Sequence, residues 1–125
     1  MLLTCPITPP AIVRPPPPKK ICHGIVALVA DEFVLDAASL MSPTRGSPRA
    51  AYARQVAMYL AHVGFALSFE AIGLAFDRDR TTVSHACRVV EDSRDDEQQD
   101  RRLALLETKC AAPGARLDGT PHVGL

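Results

Sequence analysis

The sequence predicts an all-α fold, a small helical bundle containing a helix-turn-helix, and three observations carry that prediction. Apolar residues recur three and four positions apart from Ile21 onward, the period of a helix with one buried face. No stretch of useful length alternates apolar and polar residues as a half-buried strand does. The apolar segments are preceded by residues that start helices, namely Ser47 with Pro48, Ser68 and Asp79.

Taken in order, Ile21, Ile25, Leu28 and Val29 define a first helix that ends near Phe33. Asp36 is an N-cap for the short "AASLM" piece. "MSPTRGSP" reads as a loop, after which Ser47 and Pro48 supply an N-cap and a first helical position. The helix they open turns Ala53, Val56, Ala57, Leu60 and Val63 inward and stops at Gly64. Ser68 caps the next one, with Ala71, Ile72, Ala75 and Phe76 inward. Asp77 and Arg78 make a turn, and Asp79 caps a helix whose core stripe is Val83, Ala86, Cys87 and Val90. A last helical stretch over 100–109 brings Leu103, Leu105 and Leu106 back onto the bundle.

The domain so defined covers 21–109 and is flanked by two tails. Residues 1–20 hold seven of the eleven prolines, including "RPPPPKK". Proline removes the amide donor and fixes φ, so this tail is expected to be extended and polyproline-like. Residues 110–125 are punctuated by Gly and Pro without periodicity and are expected to be disordered. At 125 residues there is room for one core only.

The formal net charge is zero, but it is unevenly spread. Over 43–90 six arginines face three acids, an excess of three positive charges, whereas "EDSRDDEQQD" at 91–100 carries six acids and one arginine. The four cysteines are scattered without a CxxC pair, which fits a reducing compartment. The prolines at 6, 9 and 10 interrupt any signal-peptide core, and no apolar run approaches the roughly 20 residues that span a bilayer. The expected setting is cytoplasmic, among nucleoid DNA, with no membrane partner.

The stretch "RDRTTVSHACR" at 78–88 holds the most chemistry. With Val83, Ala86, Cys87 and Val90 turned inward, Thr81, Ser84, His85 and Arg88 face out, and Asp79, Arg80 and Thr82 sit at the helix start. A recognition helix contacts base edges with its N-terminal residues while its apolar side anchors to the preceding helix. Arginine can bridge the guanine acceptors, aspartate can accept from the cytosine amino group, and a threonine methyl can lie against that of thymine. The competing reading is that Asp79 and the threonines only cap the helix and the arginines form a solvated face.

A resemblance bears on that choice. "ARQVAMYL", "LSFEAIGLAF" and "RDRTTVSHACR" occur in the order and spacing of the C-terminal DNA-binding domain of the bacterial replication initiator DnaA, and the similarity extends over about 21–109. The resemblance implies a six-helix domain that binds a short asymmetric DNA box. It places Asp79, Thr81 and Thr82 in the major groove, with His85 and Arg88 following on the same helix. It implies phosphate contacts at Arg54, Gln55 and Arg78, adds the helix-capping Ser68 to the DNA-facing set, and makes Arg45 and Arg49 the candidates for a minor-groove contact. Two departures stand out. Arg80 occupies a position where the family usually has histidine, adding a permanent charge and longer reach. The loop "SPTRGSPR" is also poorer in cations than is usual, which lowers the number of neutralised phosphates and with it the salt dependence.

No GxxxxGK[ST] loop is present, so the initiator's nucleotide-hydrolysing module and its ATP chemistry are not implied. Cys22-His23 and His85-x-Cys87 do not read as a zinc site, because neighbours on a helix point about 100° apart and Cys87 lies on the core stripe. Nor is there a set of nucleophile, base and orienting residue. The expected function is that of a non-enzymatic, cofactor-free, sequence-specific binder of double-stranded DNA, regulating transcription or replication initiation at initiator-type boxes. The alternative is a degenerate initiator domain that serves as a protein-protein interaction module. Binding that collapses with salt and with Thr82→Ala or Arg54→Ala separates the first from the second.

Overall fold

A computed structural model describes residues 17–42 and 46–111. The described residues form six helices: α1 (Pro18–Phe33), α2 (Ala37–Met41), α3 (Pro48–Phe65), α4 (Phe69–Phe76), α5 (Arg80–Ser93) and α6 (Glu97–Ala111). Most of the proline-rich tail, most of the C-terminal tail and Arg45 lie outside the described residues.

Helix α3 touches all five others. Its sequence permits this because Ala50, Ala53, Ala57 and Ala61 lie in one row at helical spacing and let neighbouring backbones approach, while Val56, Met58, Tyr59 and Leu60 are buried around the remaining circumference. A helix buried on most sides is the centre of a bundle rather than its skin. The core then closes with Ile25, Val26 and Val29 of α1, Leu40 of α2, Ile72 and Phe76 of α4, Val83 and Val90 of α5, and Leu103 and Leu106 of α6. At one end of the bundle Arg94 ties three helices together. Its Nε donates to Asp100 at 2.6 Å, and its Nη1 donates to Glu107 at 2.9 Å and to the Tyr59 hydroxyl at 3.0 Å. Glu107 and then Asp100 hold the guanidinium's pKa above its ordinary value. Tyr59 in turn donates to Glu91 at 2.9 Å. On the α1 side, Glu32 lies 3.7 Å from Arg102 and 3.6 Å from Lys109.

Helix starts follow the sequence closely. The side chains of Ser47, Ser68 and Asp79 each accept a backbone N–H at the opening of α3, α4 and α5. Asp36 stands at the N-cap position of α2 without a side-chain cap bond.

Four details differ from the sequence reading. Helix α1 begins at Pro18, three residues earlier than Ile21, because proline is well suited to a first helical position and the end of the proline run therefore nucleates the helix. Helix α3 passes Gly64 and ends at Phe65, with Ala66 in the left-handed conformation at φ 56°. Val63 is 52 % exposed rather than inward, although Phe65 two residues on still packs against the core. Helix α6 is longer than expected, and Leu105 is half exposed.

Helices α1, α3 and α4 all end on a non-glycine left-handed residue, Val34, Ala66 and Asp77. That conformation costs an L-residue about 1–2 kcal/mol, with a β-branched side chain the least suited. Val34 is 80 % exposed, so its side chain contributes little burial in return. Replacing it by glycine removes the steric penalty and loses almost no contact. Val34→Gly is therefore expected to stabilise the fold by about 1 kcal/mol, read as an upward shift in thermal midpoint; a lower midpoint would refute the assignment of strain at this cap.

Candidate nucleic-acid interface

The turn between α4 and α5 is built on close backbone approach. Asp77 ends α4 at φ 56°, and the Arg78 amide donates to the Gly73 carbonyl at 2.8 Å, folding the chain back over α4. A Cβ on Gly73 would lie 2.6 Å from the Arg78 carbonyl oxygen. Only glycine fits there, which is why a helix-weakening residue sits inside "EAIGLAF". Asp79 then opens α5, accepting from the Thr81 amide at 3.3 Å and from the Thr81 hydroxyl. The Thr81 hydroxyl bond, followed by the backbone bond, holds the Asp79 carboxyl below its ordinary pKa.

Helix α5 buries Val83, Ala86 and Val90 and leaves Arg80, Thr81, Thr82, His85 and Arg88 exposed. Cys87 is half-buried against the core rather than fully within it. The Thr81 hydroxyl is bonded back to Asp79, and the residue is exposed. Ser68 sits at the start of α4, exposed, with its hydroxyl accepting from the Ala71 amide at 3.0 Å.

The arginines fall into two groups. Arg80 and Arg88 stand exposed on α5. Arg49, Arg54 and Arg78 instead bond to carbonyls at the ends of other helices. The Arg49 Nη2 donates to the Phe33 carbonyl that ends α1. Arg54 is 6 % exposed and donates from Nε to the Leu40 carbonyl at 2.7 Å and from Nη2 to that of Ser39 at 3.3 Å, both in α2. Arg78 donates to Phe76 at 3.2 Å and Asp77 at 3.4 Å in its own turn and to Ser42, just past α2, at 2.8 Å. Helix ends leave carbonyls without intrahelical partners and carry partial negative charge, so a cation with several fixed donors suits them. The bonds to Phe33, Ser39, Leu40 and Ser42 were not legible in sequence, since those partners lie 14 to 36 residues away.

A cleft of about 220 Å³ opens between α3 and α5. Arg54 and Gln55 line it from one side, Thr82 and His85 from the other, with Arg78 at one end. Five of the residues singled out in the sequence thus share one hollow. Burial, followed by the nearby positive charge of Arg78, lowers the Arg54 pKa. The acids of 91–100 begin at the opposite end of α5. At 1.5 Å per residue they start roughly 18 Å from Asp79 but only about 9 Å from His85 on the cleft wall, about two and about one Debye length at physiological ionic strength. The acidic run is therefore largely screened from the start of α5 though not from the whole cleft, and Arg94 binds Asp100 on the acidic side.

Among the described residues no group of three or more His, Cys, Asp or Glu side chains could hold a metal ion. Burial pushes the Cys22 and Cys87 thiols up to about 11, so both stay protonated at neutral pH and make poor ligands or nucleophiles. Among the described residues no helix is long and apolar enough to cross a membrane.

Comparison with known proteins adds a family. The family described as bacterial dnaA protein helix-turn-helix matches residues 22–90. The chromosomal replication initiator protein DnaA of Bifidobacterium animalis subsp. lactis is 40 % identical over 77 residues, which is 60 % of this chain and 13 % of that protein. The DnaA protein of Rhodopseudomonas palustris strain TIE-1 is 39 % identical over 82 residues, 64 % of this chain and 17 % of its own length. This chain thus spans under a fifth of these relatives. A crystal structure of a DNA replication initiation factor superposes with a TM-score of 0.67 at 31 % identity, covering 74 % of this chain and 29 % of the other. The matched domain is a helix-turn-helix and not a catalytic one.

Two outcomes follow from the geometry. Gly73→Ala gains about 1 kcal/mol of helix propensity but forces the α4–α5 turn apart, and with backbone as the obstacle the clash wins. A net loss of about 1–3 kcal/mol in chemical denaturation is expected. The Asp79 carboxyl, lower in the folded than in the unfolded state, contributes stability at pH values above the ordinary carboxylate range and loses it as pH falls through the depressed folded value. The midpoint difference between the wild type and Asp79→Asn should accordingly shrink on acidification; a difference that stays constant across the acid limb would contradict this.

Proposed function

Since this chain belongs to the bacterial DnaA helix-turn-helix family, we propose that it binds double-stranded DNA sequence-specifically and regulates replication initiation or transcription by occupying initiator-type boxes. The observation that carries the reading is the cleft between α3 and α5, where Arg54, Gln55, Arg78, Thr82 and His85 converge beside an exposed helix start. A duplex laid across it meets Asp79, Arg80, Thr81 and Thr82 in the major groove, while the cleft takes a backbone phosphate. Arg88 lies further along the same exposed face. Arg49 and Arg45, on the segment that opens α3, are assigned to the adjoining strand or minor groove. Ser68, at the start of α4, is assigned a phosphate through the N-terminal amides of that helix. No cofactor or metal enters the proposal, and the site of action is the nucleoid DNA of the cytoplasm.

A second reading is favoured by one observation. Leu74 is 84 % exposed and borders a hollow of about 250 Å³ lined by Pro17, Pro18, Lys19, Ala71 and Ala75. An exposed apolar patch of this kind suits a protein partner.

Selection of duplexes from a random pool, followed by titration at several salt concentrations, separates the two. DNA binding predicts an enriched box, an affinity that falls linearly on a log–log salt plot with a slope of about −0.9 for each phosphate contacted, and a loss of about 1–3 kcal/mol for Arg80→Ala on that box. Thr82→Ala also weakens binding, and both positions are exposed, so neither change disturbs the core. Arg54→Ala is a poorer probe because it frees the carbonyls of α2 as well. Absence of enrichment at low salt, together with Leu74-dependent capture of a protein, would replace the first reading by the second.

A further inference from the structure

Two hollows flank the start of α5, and they differ in charge. The cleft between α3 and α5 is lined by Arg54, Arg78 and His85 without a carboxylate. The other, of about 470 Å³, is lined by Glu70, Leu74, Arg78, Asp79 and Arg80, so its two guanidinium groups are matched by two carboxylates. Arg80 lines only this second hollow. It is exposed at the first position of α5, and among the described residues its guanidinium makes no hydrogen bond and no ion pair. Its neighbours are already engaged. Asp79 accepts from the Thr81 amide and the Thr81 hydroxyl and takes a backbone bond from Arg80. Arg78 turns its guanidinium to the carbonyls of Ser42, Phe76 and Asp77.

We infer that Arg80 is a specificity-determining residue whose guanidinium takes the N7 and O6 acceptors of a guanine, fixing one guanine in the bound box. The inference rests on the DNA-binding reading above and deepens it by naming a base. Charge argues against a phosphate at this position. An anion brought to the second hollow meets the Glu70 and Asp79 carboxylates as well as the guanidinium groups, and their repulsion offsets the attraction. In the α3–α5 cleft no lining carboxylate opposes it. Nor does the start of α5 offer bare amides to a phosphate, since Asp79 already caps them. A guanine edge is neutral, so the carboxylates do not repel it, and its two acceptors lie side by side to match two donors in one plane. Of the exposed side chains in the first turn, Arg80 alone carries such a pair of donors. The Thr81 hydroxyl is given to Asp79, and Thr82 has a single hydroxyl.

Selection from a random duplex pool with the full chain, run in parallel for the wild type and Arg80→Ala, tests the assignment. Arg80 is exposed and unbonded, so the variant is expected to keep the wild-type thermal midpoint. The wild type should enrich a box with one guanine at a position where the variant accepts any base, the other positions being unchanged. Replacing that guanine by 7-deazaguanine, which lacks the N7 acceptor, should weaken wild-type binding about tenfold and leave Arg80→Ala binding within about twofold. The log–log salt slopes of the two proteins should nearly coincide, because no phosphate contact is lost. A slope shallower by about 0.9 in Arg80→Ala, with no response to 7-deazaguanine, makes the residue a phosphate clamp and overturns the inference while DNA binding stands. A wild type that enriches no duplex at low salt overturns the binding reading and the guanine contact with it.

Discussion

Helix α3 can touch every other helix only because Ala50, Ala53, Ala57 and Ala61 keep one row of its surface small while larger apolar groups fill the rest. Close approach excludes water from the centre of a chain with few residues to bury, and dispersion and apolar transfer act over the whole circumference of one helix. The consequence is geometric. With α3 as the axis, α4 and α5 must lie together on one flank, and the outer face of α5 becomes the surface where an elongated partner can be seated. The position of that face follows from the packing of a helix that has little chemistry of its own.

Surrounding this axis, cations complete the helix ends. Arg49, Arg54 and Arg78 bond to carbonyls at α1, α2 and α4. A side chain of this kind neutralises the partial charge at a helix terminus and supplies several donors from one fixed plane. On the proposed DNA-binding reading, structural and binding roles are compatible at these positions. A guanidinium already immobilised by carbonyls forfeits little freedom when an anion approaches it.

Charge is partitioned along the length of α5. The N-terminal end carries guanidinium groups, hydroxyls and an imidazole around a hollow, while the C-terminal end runs into an acidic segment held by Arg94. A net charge of zero would suggest indifference to polyanions if it were uniform. The start of α5 lies roughly two Debye lengths from the first of these acids, so it can attract a phosphate backbone while their field is screened there.

Much of this was determined locally and is visible in the chain itself. Helical periodicity, the Ser47, Ser68 and Asp79 caps, and the exposed order of Arg80, Thr81, Thr82, His85 and Arg88 depend on neighbours within four residues, so residue order alone specifies them. Helix ends were less legible. Gly64 looked like a stop, yet α3 continues to Phe65 because packing outweighs a single glycine's weak preference. Gly73 could be noticed in sequence but not explained, since its need is set by an oxygen five residues on that is brought back only by the folded turn. What the tertiary structure alone decided is where the arginines point: Arg54 inward, Arg78 across to Ser42, and both beside Thr82 in one cleft. Periodicity constrains which side of a helix a residue occupies, whereas the acceptor a long, multi-donor side chain finds is determined by segments far away in the chain, and those meet only after the core has closed.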